Sequence, residues 1–79
     1  MTNLEKYDQA FCDALGAEVS QLPDLKYQDI PQWDSVGHMK LMAMLEDAFD
    51  IMMDIDDIID FSSYEKGKEI LSEKYEVVF

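Results

Sequence analysis

Cys12 is the only cysteine in the chain, so no disulfide can form within it and the redox compartment leaves no mark on the sequence. Basic residues are also scarce. Six Lys and Arg stand against eighteen Asp and Glu, for a formal charge of −12. A field of that sign repels phosphate backbones and anionic lipid, which argues against nucleic acid and membrane surfaces as partners. It favours proteins that present Lys and Arg patches, and it makes the compact chain repel itself. No apolar run approaches the roughly 20 residues that span a bilayer. The opening MTNLEKYDQAF lacks a basic region followed by an apolar one, so no secretory signal is expected. The expectation is a soluble, cytoplasmic protein without membrane insertion. His38 is the only histidine and has no second imidazole to share a metal with.

What is present is enough to fold. At 79 residues there is room for one domain, spanning 1–79, and no second core. A chain this short buries only about 60% of the surface that its unfolded form exposes, so modest stability is expected. Hydrophobic residues make up 48%, too many for a disordered acidic tail.

The apolar spacing is helical. Thr2 and Glu5 form a candidate capping box, and Leu4, Tyr7, Phe11 and Leu15 then mark one stripe. Gly16 is a natural stop, which gives a first helix from about 3 to 15. Residues 17–33 hold both prolines, Pro23 and Pro31, and show no sustained helical period. Leu22, Leu25, Tyr27, Ile30 and Trp33 are enough anchors to make this an ordered loop with a short helical turn.

Asp34 is the candidate N-cap of the second helix, and Pro31 prevents an earlier start. His38, Met42, Leu45 and Phe49 share a stripe flanked by Leu41 and Ala48, with Lys40, Glu46, Asp47 and Asp50 opposite. Gly37 in its second turn costs up to about 1 kcal/mol against Ala, a cost that needs a reason, and the close approach of another group is one candidate. Ile55, Ile58 and Ile59 form a short apolar stripe behind Asp54, Asp56 and Asp57, whose charge suits a helix start. Such a helix is marginal alone. Ser62 with Glu65 repeats the capping-box signal ahead of Tyr64, Lys68, Leu71 and Tyr75. The expected fold is all-α: a four-helix bundle with three longer helices, one short third helix and a long first loop.

Asp34-Ser35-Val36 therefore stands at a helix N-terminus, where free amides and the dipole favour an anionic group. Ser and Asp are also the commonest plain helix caps, and these three residues alone do not decide between the two roles. The surrounding run WDSVGHMKLMAMLEDAFDI resembles the acyl carrier protein family, including its peptidyl and D-alanyl carrier relatives. In that family an Asp-Ser-Leu or similar tripeptide opens helix two. Leu45-Glu46-Asp47 followed by Phe49-Asp50 is similar to the end of the family's second helix. Met53 falls at an aliphatic position before the short third helix, and Phe61-Ser62-Ser63-Tyr64 at the opening of the fourth. The likeness is specific from about 30 to 72 and architectural over the first helix. Trp33, Lys40 and His38 depart from the commoner pattern. Trp33 resembles the aromatic found in D-alanyl and other specialised carriers.

The resemblance implies a protein that catalyses nothing. Ser35 would carry 4′-phosphopantetheine, donated by coenzyme A, and Asp34 would help to position the metal of the phosphopantetheinyl transferase. The arm's thiol would hold an acyl or aminoacyl cargo as a thioester, so Cys12 is expected to be only a small core or edge residue. Val36 and Met39 would give partners an apolar contact. Glu46, Asp47, Asp54, Asp56 and Asp57 would form an acidic rim for a loading ligase or synthetase and for acyl-transferring enzymes with basic surfaces. A carrier that visits several enzymes is expected to be a monomer.

Two other readings stay open. Ser35, His38 and Asp34 have the residue types of a hydrolase, although Trp33 stands where a nucleophile elbow has Gly and no strand leads into the turn. The same fold could also be an unmodified interaction module. Asp54, Asp56, Asp57 and Asp60 begin like a calcium loop, but Ile58 occupies a ligand position and neither the turn Gly nor the terminal Glu follows. The methionines are read as adaptable packing.

Overall fold

A computed structural model describes all residues from Met1 to Phe79. The chain is all-α: helices α1 (Asn3–Leu15), α2 (Ser35–Phe49), α3 (Ile55–Asp60) and α4 (Tyr64–Lys74), with a 3-10 helix at Val19–Asp24 and no strands. No helix is long and apolar enough to cross a membrane.

Helix α1 forms as its ends dictate. The Thr2 hydroxyl accepts from the Glu5 amide and the Glu5 carboxylate accepts from the Thr2 amide, at 3.1 and 3.0 Å. Gly16 stops the helix in the left-handed region at φ 67° and donates its N–H to the Cys12 carbonyl. Tyr7, Phe11 and Leu15 are buried with Ala10. Leu4, expected on the same stripe, is exposed, because the buried face begins only at Tyr7.

The first loop is ordered and anchored. Leu22, Leu25 and Trp33 are buried, with Tyr27 and Ile30 packed partly against the core. Two antiparallel hydrogen bonds stitch it to the α3–α4 connection, Tyr27 N–H to the Ser62 carbonyl at 2.8 Å and Tyr64 N–H to the Leu25 carbonyl at 2.9 Å. This stitching moves the start of α4. Ser63, not Ser62, is the cap, and its hydroxyl accepts from the Lys66 amide at 3.0 Å. The Ser62 carbonyl is committed to the loop, and no box with Glu65 forms.

The core is aromatic at its centre. The Tyr7 ring lies 5.0 Å from Phe11 and from Tyr64, and Phe11 lies 5.4 Å edge-on from Trp33. The buried Tyr7 hydroxyl donates to the Tyr64 carbonyl at 2.7 Å, and burial pushes its pKa far up. Leu41, Met42 and Leu45 bring α2 onto this core, and α1 packs chiefly against α2. Beyond α4, Val77 is buried and the Phe79 ring returns to within 5.2 Å of Tyr7.

Helix α3 is rotated about its axis relative to its expected orientation, so that of its three isoleucines only Ile58 still packs against the core. Ile55 and Ile59, expected to face inward, are 74% and 73% exposed, while Asp57 is 2% exposed. At about 100° per residue, a helix that buries Asp57 must turn Ile55 and Ile59 outward. Asp57 goes inward because it is matched there. Lys74 Nζ and the Tyr75 hydroxyl both donate to its carboxylate at 2.6 Å, and the Tyr75 oxygen in turn accepts from the Asp54 amide at 2.8 Å.

Candidate functional site

Ser35 is the first residue of α2 and is exposed. Its predecessor Asp34 is the cap: the carboxylate accepts from the Gly37 amide and the carbonyl from the His38 amide, each at 2.8 Å. The amides of Ser35 and Val36 have no acceptor within the protein. They stand at the positive end of a 15-residue helix, where an anion is favoured.

Beside Ser35 a cleft of about 320 Å³ opens between α2 and α3. Tyr27, Met39, Ile58, Ile59 and Phe61 give it apolar walls, and Ser35, His38 and Ser62 complete the lining. A larger depression of about 800 Å³ runs between α4 and residues 77–79, but it shares no residue with this cleft and its polar lining is surface Ser, Lys and Glu.

His38 lies in the cleft lining one turn beyond Ser35, with both ring nitrogens engaged. The Trp33 indole donates to Nδ1 at 2.9 Å, and Nε2 lies 2.8 Å from the Ile58 carbonyl. An indole N–H only donates and a carbonyl only accepts, so the ring is the neutral tautomer with its proton on Nε2. That leaves no lone pair to take a proton from Ser35. The residue types of a hydrolase are present, but its base is spent on structure.

Of the acidic rim expected from the sequence, Asp47, Asp54 and Asp56 are exposed, as are Val36 and Met39. Asp57 is not part of that rim; it is buried and internally paired. Glu46 is half-buried, and its carboxylate accepts from the Met53 amide at 2.9 Å, clamping the turn that leads to α3. Ile55 and Ile59 take the surface that Asp57 was expected to occupy. The sequence signal for this was the acid inside the isoleucine stripe, since both cannot face the same way. Cys12 is half-buried against the core, and burial together with Asp8 and Asp13 raises its thiol pKa, which keeps it poorly nucleophilic.

The Asp57 latch has a defined pH signature. Hydrogen bonds from Lys74 and then Tyr75 hold the Asp57 carboxyl below its ordinary 3.8, while Asp57 holds Lys74 above its ordinary 10.5. A lowered acid contributes stability above its unfolded pKa and loses it as pH falls through the folded value. A raised lysine contributes below its unfolded pKa and loses it as pH rises through the folded value. Asp57→Asn should therefore lower the thermal midpoint by several degrees across neutral pH. The gap to wild type should close on acidification below the ordinary 3.8. A gap that persists in acid would show that the carboxylate charge is not what holds the latch.

Comparison of the chain with protein-family models, with curated proteins and with solved structures finds no match to any of them.

Proposed function

We propose that the chain is a carrier protein with the four-helix bundle of the acyl carrier type, bearing a 4′-phosphopantetheine arm on Ser35. The observation that carries this reading is the setting of Ser35. It is exposed at the start of α2, next to two unpaired amides and an apolar cleft, with no internal base. A serine hydroxyl without a base is a poor nucleophile, so a serine meant to react here must be activated from outside. An attachment point needs nothing more, because the modifying transferase brings the base and the metal. The Asp34-Ser35-Val36 tripeptide and the residues that follow it resemble the same family.

The residues present suit the group. A phosphodiester on Ser35 would meet the amides of Ser35 and Val36 at the helix N-terminus. The arm's contribution is a thiol that holds cargo as a thioester. Val36, Met39, Ile55 and Ile59 supply exposed apolar surface around it, and Asp47, Asp54 and Asp56 the charge that steers a phosphopantetheinyl transferase and acyl-transferring enzymes with basic faces.

Incubation with coenzyme A and a broad-specificity phosphopantetheinyl transferase, followed by intact mass, tests the reading. Wild type should gain the mass of one phosphopantetheine and Ser35→Ala none. An unchanged wild-type mass, or equal gain by Ser35→Ala, would refute it. Release of an activated ester by the unmodified chain would favour hydrolysis instead.

A further inference from the structure

We infer that Trp33 and His38 are positioning residues that hold α3 against α2 and so set the cleft wall beside Ser35. Helix α3 has little apolar grip of its own. Ile55 and Ile59 face solvent, and only Ile58 packs partly against the core. Polar tethers do the holding, and they come from two sides. On the α4 side, Asp57 bonds Lys74 and Tyr75. On the α2 side, the Glu46 carboxylate clamps the turn before α3 at the Met53 amide, and the one bond to α3 itself is that between His38 Nε2 and the Ile58 carbonyl.

That second tether is aimed by Trp33. The indole is fully buried, wedged edge-on against Phe11 at 5.4 Å and Tyr27 at 6.1 Å, and it lies nearly parallel to the His38 ring at 6.2 Å and 19°. Its N–H occupies Nδ1, which forces the proton onto Nε2, the nitrogen that faces α3. The core thus fixes one tautomer, and that tautomer fixes the helix carrying Ile58 and Ile59, two walls of the cleft. With that bond gone, nothing on α2 holds the body of α3 beyond the clamp at its entry, and the cleft is free to widen. That this governs the room given to an arm rests on the carrier reading; the positioning itself does not.

The test uses the unmodified full chain. Long-range nitrogen–proton spectra of the His38 ring at neutral pH should show Nε2 protonated and Nδ1 bare. A protonated Nδ1 in wild type would overturn the inference. Trp33→Phe keeps an aromatic ring and removes the donor, and should turn the single tautomer into a mixture. In the same variant, amide exchange at Ile58 and Phe61 should quicken about five- to tenfold relative to α1, the loss of roughly one hydrogen bond. Val77→Ala, a core change away from the relay, should move α1 and α3 amides together. Equal quickening of α1 and α3 in Trp33→Phe would mean that the pair is only core packing. These readings do not involve the Ser35 hydroxyl, so their failure and the failure of modification are separate results.

Discussion

Trp33→Ala should cost the chain half or more of its resistance to urea. Replacing a buried aromatic by alanine costs about 3–5 kcal/mol, the sum of lost transfer energy and the cavity left behind. A domain of this length holds roughly 4–12 kcal/mol in all. Trp33 is at the unfavourable end of that range for three reasons. It is completely buried, so no water can fill the space cheaply. It touches three elements, with Phe11 on α1, Tyr27 in the loop and His38 on α2 all within 6.2 Å of its ring centre. Its loss also strands Nδ1 of a half-buried histidine, an unsatisfied acceptor worth about 1–3 kcal/mol. The midpoint in urea, followed by far-ultraviolet circular dichroism because the single tryptophan is gone, should fall by half or more. Trp33→Phe should lose far less. A midpoint for Trp33→Ala close to wild type would mean that the indole is not the keystone of the loop.

The elements that were legible in the sequence are those whose signals are local. Thr2, Glu5 and Gly16 act within one helix, and α1 begins and ends where they place it. Asp34 and Pro31 do the same for the start of α2, and with them the exposure of Ser35. What was not legible depends on partners distant in the chain. Asp57 reads as a surface acid until Lys74 and Tyr75 are brought to it, 17 and 18 residues on. Burying that one carboxylate turns two isoleucines to solvent and rotates the helix about its axis. Ser62 reads as a cap until its carbonyl is claimed by Tyr27. His38 reads as an inner-stripe residue, and its spacing from Trp33 gives no sign that the two bond or that Ile58 completes the relay.

Gly37 was legible as a question, and it carries the second large prediction. In an exposed helix, Gly→Ala stabilises by about 1 kcal/mol. Gly37→Ala should do the opposite and destabilise by a net of about 1–3 kcal/mol, the usual range for overpacking. An added Cβ would run into the carbonyl oxygen of Gln32, with Leu15 Cδ2 a further neighbour at 3.2 Å. A side-chain tip would yield to it, but a backbone carbonyl yields only if its segment moves. That segment includes Trp33, seated in the core, and Asp34, whose carboxylate accepts from the Gly37 amide itself. Relief therefore unseats either the indole or the cap, and both flank Ser35. Urea midpoints should show the loss, and tryptophan emission should shift in the folded baseline as the indole moves. If Ser35 is the attachment point, its modification should slow in the same variant while Ala48→Gly, far along α2, leaves the modification rate unchanged. A stabilised Gly37→Ala would show that the loop lifts away freely. The close approach of Gln32 would then have no part in setting the start of α2.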